Sequence, residues 1–163
     1  MKYKINAHII VMLLLIIVAN ILISCEHEYT YCFTINNSTD DSMQVMTTPI
    51  ISNYRLQIHN VSYQSPQNQG FSYYYDHPTN TEFTIPPMAS LSAMISWYSR
   101  QSMSSIPERD GIVPLWSIIE NLSVNDIQID SEYWKKESKW RKQVISDIVT
   151  LYTLDITCYE DNE

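Results

Sequence analysis

The stretch YTYCFTI at residues 29–35 alternates large apolar side chains with smaller or polar ones. The stretch YTLDIT at residues 152–157 repeats this alternation near the other end of the chain. Successive side chains of a β-strand point to opposite faces of a sheet, so a period of two predicts strands with one buried face. In the first stretch that face carries Tyr31, Phe33 and Ile35.

Further alternating segments follow outward from these two, each bounded by turn-forming residues. The predicted strands cover 28–36, 42–48, 50–61, 71–75, 81–85, 91–98, 124–129 and 148–159. The first two are joined by Asn, Ser, Thr and Asp residues, which predicts a hairpin over 28–48. At 114–122 the apolar spacing becomes helical behind Pro114. The expected fold is all-β, an antiparallel β-sandwich of Ig-like, Greek-key type with one short helix near 114–122.

Composition excludes several classes of function. The 163 residues contain only 2 Gly, at positions 70 and 111, so no phosphate-cradling loop, dinucleotide fingerprint or glycine-flanked nucleophile elbow is present. The formal net charge of −8 argues against a nucleic-acid partner, since few cations are available to neutralise phosphates. This length predicts one domain.

The N-terminal segment has the features of a secretory signal helix that is cleaved off. Lys2 and Lys4 precede an apolar run over 9–23, and the first acidic residue is Glu26. A helix of fifteen residues reaches about 22 Å, too short for a bilayer core of about 30 Å. The following LISC, residues 22–25, resembles a bacterial lipobox. That resemblance implies lipidation of Cys25 with acyl chains such as palmitate; the alternative is a buried free cysteine after a simple signal.

The expected organisation is a signal peptide over 1–24, a lipidated tether over 25–28 and a single β-sandwich domain over 29–163. Loss of residues 1–24 removes Lys2 and Lys4 and leaves a more acidic protein. The residues after Cys25, Glu-His-Glu, resemble the acidic stretch of surface-exported lipoproteins of the Bacteroidota. We therefore expect a lipid-anchored protein of the outer membrane, facing either the periplasm or the cell surface.

Several short motifs extend this resemblance over most of the chain. They are FTINNS at 33–38, TIPP at 84–87, PLW at 114–116 and the closing stretch at 152–157. Together with the lipobox they resemble small, uncharacterised β-sandwich lipoproteins of Bacteroidota. Where such relatives often have Pro-Gly, this chain has Pro87-Met88. The resemblance implies a location and a fold rather than a reaction.

Two cysteines remain besides Cys25. In the predicted strands Cys32 lies opposite the apolar face, whereas Cys158 shares it. Paired side chains of neighbouring strands lie on the same face, so the pattern disfavours a disulfide. A disulfide between Cys32 and Cys158 remains an alternative if Cys158 lies beyond the end of the last strand.

No residue pattern predicts catalysis, a metal site or a cofactor. His27 with its flanking glutamates lies in an extended tether, which cannot fix a coordination geometry. Asp76-His77-Pro78 is typical of a turn, and His59 is expected on a polar strand face. No serine has a recognisable activating context. We therefore expect a protein that is not an enzyme.

Candidate binding residues are aromatic. Tyr73 and Tyr75 lie near loops rich in Ser, Asn and Gln, a composition typical of adaptable binding surfaces. Trp134 and Trp140 lie among basic residues that suit an anionic glycan, the alternative being indole rings packed on the core. Asp41-Ser42-Met43 resembles a Bacteroidota O-glycosylation acceptor, with Ser42 as the modified residue.

The leading hypothesis is a non-catalytic binding or adhesion module of the cell envelope. Its partners would be the membrane, through Cys25, and a glycan or an envelope protein. The alternatives are a structural accessory subunit of an envelope complex and, with less support, a hydrolase.

Overall fold

The computed structural model describes residues 26–60, 73–76, 79–99 and 101–157, together with Met12 and Leu15. Within these residues the chain is all-β, which confirms the predicted class. The strands are β1 (His27–Asn37), β2 (Met43–Thr47), β3 (Arg55–Asn60), β4 (Tyr73–Asp76), β5 (Glu82–Ile85), β6 (Ala89–Ser99), β7 (Ile119–Val124), β8 (Ile127–Gln128), β9 (Arg141–Ser146) and β10 (Val149–Ile156). Short 3₁₀ turns lie at Pro49–Asn53, Pro107–Asp110, Ser131–Tyr133 and Glu137–Lys139.

The described strands form two sheets that enclose one core. The larger has the order β4-β3-β6-β1-β10-β9 and the smaller has the order β5-β2-β7-β8. Inward side chains of both sheets belong to a single buried cluster, including Phe33 of β1, Val45 of β2 and Leu122 of β7. The architecture is therefore a sandwich, with β1 near the centre of the larger sheet.

Aromatic rings fill the middle of the core. The rings of Phe33 and Tyr152 are stacked with centroids 5.4 Å apart, and Trp116 meets both edge-on. The predicted alternation along β1 is confirmed, since Tyr31, Phe33 and Ile35 are fully buried. Such aromatic pairs stabilise beyond their buried area, by about 0.5–1.5 kcal/mol each.

The pairing of β1 with β10 departs from the antiparallel expectation. These strands run parallel, with Tyr31 opposite Thr150 and Ile35 opposite Leu154, while the other pairings among the described strands are antiparallel. Parallel neighbours need a long connection, and almost the whole chain supplies it here. Alternation within one strand carries no information about the direction of its neighbour.

This register bears on the disulfide. Cys32 is level with Leu151, whereas Ile156 is level with Asn37, about 16 Å further along the sheet. Two more residues reach back by at most about 7 Å, which is insufficient for the Cα separation of a disulfide. Cys32 carries a free thiol, and burial raises its pKa. Cys158 itself lies outside the described residues.

The predicted hairpin over 28–48 is wrong, because β1 and β2 belong to different sheets. The connection crosses from one layer to the other and is fixed by the buried side chain of Asn37. Its Nδ2 donates to the backbone oxygens of Asp41, Ile85 and Pro86 at 2.8–3.1 Å. Its Oδ1 accepts from the hydroxyl of Thr39 at 2.7 Å. We call residues 38–42 the arch.

The predicted helix at 114–122 is shorter in the structure. Helix α1 covers only Leu115–Ile118, and Ile119 continues as β7, which pairs with β2. A single helical turn and a strand bury the same apolar residues, Leu115, Ile118, Ile119 and Leu122. A longer helix would satisfy its own backbone but would leave the facing backbone groups of β2 unpaired, so long-range contacts override the local pattern.

Candidate functional site

The structure buries both tryptophans of the basic segment. Trp134 and Trp140 are 1% and 4% exposed, and Trp140 packs against Trp116 with ring centroids 5.6 Å apart. Their ring nitrogens donate to the backbone oxygens of Ile129 and Trp134, respectively. The hypothesis that these two rings form part of a binding surface is therefore wrong, because neither presents a face to solvent. They are core residues, the alternative that the sequence left open.

The cations of this segment lie over aromatic rings. The Nζ atoms of Lys135, Lys139 and Lys142 stand 5.6–5.8 Å from the rings of Trp134, Tyr133 and Tyr152. Lysine stems pack on apolar surface in this way while the charged groups stay in water. The basic segment therefore shields the core at this edge of the sandwich.

Tyr73 and Tyr75 lie on β4, at one edge of the larger sheet. Their backbones pair with Ile58 and Leu56 of β3. The side chains of β4 are outside the described residues, so their part in binding stays a prediction.

Of the two predicted modification residues, Cys25 is outside the described residues. His27 and Glu28, expected in the segment 25–28 before the domain, already belong to β1, opposite Ser99 and Tyr98. Ser42 is exposed in the arch, directly before β2, and its modification stays a prediction.

A cleft of about 500 Å³ opens at the end of the sandwich where β1 ends. Its walls are the arch, the hairpin formed by β7 and β8, and the last residues of β10. The lining residues are Thr39, Asp40, Asp41, Val124, Asn125, Ile127, Gln128, Ile129, Asp130, Ile156 and Thr157.

Local backbone geometry holds this cleft open. Asn125 and Asp126 both have positive φ, 49° and 63°, as in the two-residue turns that suit the twist of a hairpin. Strand β8 ends after two residues, and Ile129 is then buried with its N–H donating to the oxygen of Leu122 at 2.8 Å. The N–H of Asn125 donates to the oxygen of Ser42 at 3.4 Å, which links the hairpin to the arch.

The cleft combines an apolar floor with acidic side chains. Ile129 and Ile156 are buried, whereas Ile127 is 64% exposed. Asp40, Asp41 and Asp130 contribute carboxylates. Asp130 also accepts a hydrogen bond from the N–H of Glu132 at 2.9 Å. In the described part of the chain no group of three His, Cys, Asp or Glu side chains is arranged to hold a metal ion. The cleft therefore suits an apolar group that carries a positive charge beside it.

A histidine–serine contact lies on the outer face of the larger sheet. Nε2 of His59 is 2.9 Å from the hydroxyl of Ser92, which is 3.0 Å from that of Thr34. The sequence predicted that His59 lies on a polar strand face, but it did not predict the contact with Ser92. Ser92 lies in the middle of β6, which pairs with β1 on one side and with β3 on the other. The backbone N–H groups around it are used in these two pairings. None is therefore available to stabilise the oxyanion that a serine nucleophile would form. The contact links strands across the sheet.

Comparisons with protein-family models, with curated proteins and with solved structures find no match to this chain. Across the residues that the structure describes, no helix is both long enough and apolar enough to cross a membrane.

The sequence alone did not point to the cleft. Its residues come from three segments, 39–41, 124–130 and 156–157, which only the order of strands brings together. One local signal was present, because Asn-Asp at 125–126 is typical of a tight turn.

Proposed function

We propose that this protein is a lipid-anchored, non-catalytic binding module of the bacterial outer membrane, held through Cys25, which binds an envelope protein in the cleft. The observation that carries the proposal is the position of the cleft relative to the tether. Strand β1 begins at His27, two residues after Cys25, and ends at Asn37, next to the arch that lines the cleft.

The length of β1 supports a binding role away from the membrane. Eleven residues of strand extend about 35 Å, more than the thickness of a bilayer core. An anchor at Cys25 would hold one end of the sandwich at the lipid surface and present the cleft at the other. A partner could then enter the cleft without displacing the anchored end.

The chemistry of the cleft favours a protein over a glycan among the two partners considered. Among the residues that the structure describes, its lining includes four apolar side chains, Val124, Ile127, Ile129 and Ile156, but no aromatic ring against which a sugar could stack. Its carboxylates oppose an anionic glycan and attract lysine or arginine. We infer a ligand segment in which an aliphatic side chain is flanked by a basic residue.

A peptide panel tests this proposal. Short peptides of equal length, with Leu flanked by Lys, by Glu or by Ser, are titrated against the full chain at low and high salt. Preference for the Lys–Leu peptides, weakened by salt and by the double substitution Asp40→Asn with Asp41→Asn, supports it. The matched control is Asp126→Asn, a neighbouring acidic residue outside the cleft lining, and it should leave affinity unchanged.

Anchoring is tested separately. Cys25→Ser should abolish acylation, measured by mass spectrometry, and move the protein from the membrane to the soluble fraction. Acyl groups that persist in Cys25→Ser, or equal affinity for all peptides, would contradict the corresponding half of the proposal.

A further inference from the structure

The end of the sandwich beside the tether carries exposed apolar side chains. Tyr98 is 68% exposed, Ile145 is 55% exposed, and Val144 and Ile148 are also exposed. We call these four residues the apolar tip. Soluble domains usually bury aliphatic residues of this size, so a group of them at one end indicates a contact surface.

Strand register places the apolar tip next to the start of β1. Tyr98 pairs with Glu28, and the backbone oxygen of Ile148 accepts from the N–H of Thr30 at 2.8 Å. Val144 pairs with Thr150, which is level with Tyr31. The whole tip therefore lies within about 15 Å of His27 along the strand direction.

The tether is too short to hold this end away from a membrane. Only Glu26 separates Cys25 from β1, and two residues of extended chain span at most about 7 Å. A diacylated cysteine lies at the boundary between headgroups and acyl chains. Anchoring at Cys25 would therefore bring the apolar tip to the depth of the headgroup layer.

We propose that the apolar tip inserts into the headgroup region of the bilayer and fixes the orientation of the domain on the membrane. This inference rests on the anchoring proposed above. Tyrosine and aliphatic side chains are suited to this interfacial region. The anchor and the tip together would fix the tilt of β1 on the membrane, with the cleft directed away from the lipid.

Among the residues that the structure describes, the charges at this end make the contact apolar rather than electrostatic. Glu28 and Asp147 lie beside the tip and repel anionic headgroups. The nearest cations on β9 are further from the tether and already engaged, because Arg141 pairs with Asp155 at 3.4 Å and Lys142 lies over Tyr152. Insertion should therefore depend little on salt or on anionic lipid.

Paramagnetic broadening tests the inference on the natural, acylated chain. The protein is placed in nanodiscs of phosphatidylethanolamine and phosphatidylglycerol that contain a headgroup-spin-labelled lipid. Amide signals of residues 144–148 should lose most of their intensity, while those of the β7–β8 turn at the far end keep theirs. Raising the salt or omitting phosphatidylglycerol should not restore the lost signals.

Ile145→Asp with Ile148→Asp should weaken this broadening, most strongly at residues 144–148, although the acyl chains still hold the protein at the membrane. Met88→Asp, an exposed residue at the far end of β6, is the matched control and should change nothing. An acylated chain whose 144–148 signals stay sharp would overturn the inference and leave the anchoring intact. A chain that carries no acyl group would overturn both.

Discussion

The hydroxyl of Tyr31 donates a 2.6 Å hydrogen bond to Oδ2 of Asp110. This contact joins β1, near the centre of the larger sheet, to the 3₁₀ turn at Pro107–Asp110. Two other tyrosines act similarly: Tyr54 donates to the oxygen of Val113 and Tyr152 to that of Ser105. Three hydroxyl groups thus hold the segment 105–113 on the core, in which their rings are buried.

Removal of the Tyr31 hydroxyl should lower stability without disturbing packing. Tyr31→Phe should reduce the free energy of unfolding by about 1.5–3 kcal/mol, because the lost hydrogen bond ends on a carboxylate. Urea unfolding measures it. Tyr98→Phe is the control, since that hydroxyl is exposed and 3.5 Å from Glu28, and it should have little effect. Fully additive costs for Tyr31→Phe and Asp110→Ala would show that the two residues do not interact.

Alkaline pH should destabilise the fold steeply. Burial is the largest cause that raises the pKa of Tyr31, Tyr54 and Tyr152, and nearby carboxylates add to it. The folded state keeps these protons while the unfolded chain loses them above its tyrosine pKa of about 10. Their stabilisation is complete below that pH and is lost as pH rises towards the folded values. The unfolding free energy should therefore fall by about 4 kcal/mol per pH unit for three protons.

Tyrosinate absorbance and urea midpoints across this range test the alkaline effect. Tyr152→Phe should reduce the slope by the share of one proton, about 1.4 kcal/mol per pH unit. A slope that does not change in this variant would contradict the assignment.

Met88→Gly should stabilise the protein. Met88 has φ of 55° and follows Pro87 in the turn closed by the N–H of Ala89 and the oxygen of Pro86, a position that favours glycine. Glycine relieves the strain of this conformation but also gives the unfolded chain more conformational freedom. The net effect should raise the free energy of unfolding by roughly 0.5–1 kcal/mol. Thermal unfolding measures it. Met88→Ala keeps the strained backbone, so a gain of the same size in that variant would contradict the explanation.

Trp140→Ala should behave as a core mutation. Loss of this buried ring should cost about 3–5 kcal/mol of unfolding free energy, measured by urea unfolding. Tyr133→Ala, an exposed aromatic of the same segment, should cost less than about 1 kcal/mol. A similarly small loss of unfolding free energy in both variants would contradict the burial of Trp140.

Strand faces could be predicted from the sequence because alternation is a local property. The inward residues of β1 were assigned correctly, since each large apolar side chain on one face needs burial regardless of its neighbour. Strand partners were not predictable in the same way. Whether β1 pairs with β2 or with β10 depends on how the two layers close around Phe33 and Tyr152, contacts far apart in sequence.

The candidate site shows the same division. Turn chemistry at the arch could be recognised locally. The predicted strand over 124–129 is wrong, because Asn125-Asp126 forms the turn between β7 and β8. The proximity of the arch to this turn depends on sheet order. Trp134 and Trp140 had two interpretations because their neighbours in sequence are basic while their neighbours in space are apolar. Tertiary packing decided between them.

The parallel pair in the middle of the larger sheet has a consequence for folding kinetics. Asn36 and Asp155 bond across that pair although 119 residues separate them, and the other neighbour of β1 is also distant in sequence. Contacts between residues so far apart in sequence slow folding, because the entropy cost of closing a long loop comes before the pairing that offsets it. Strand β1 is synthesised long before β10, so a nascent chain that lacks β10 has an incomplete larger sheet in which β1 is paired on one side only.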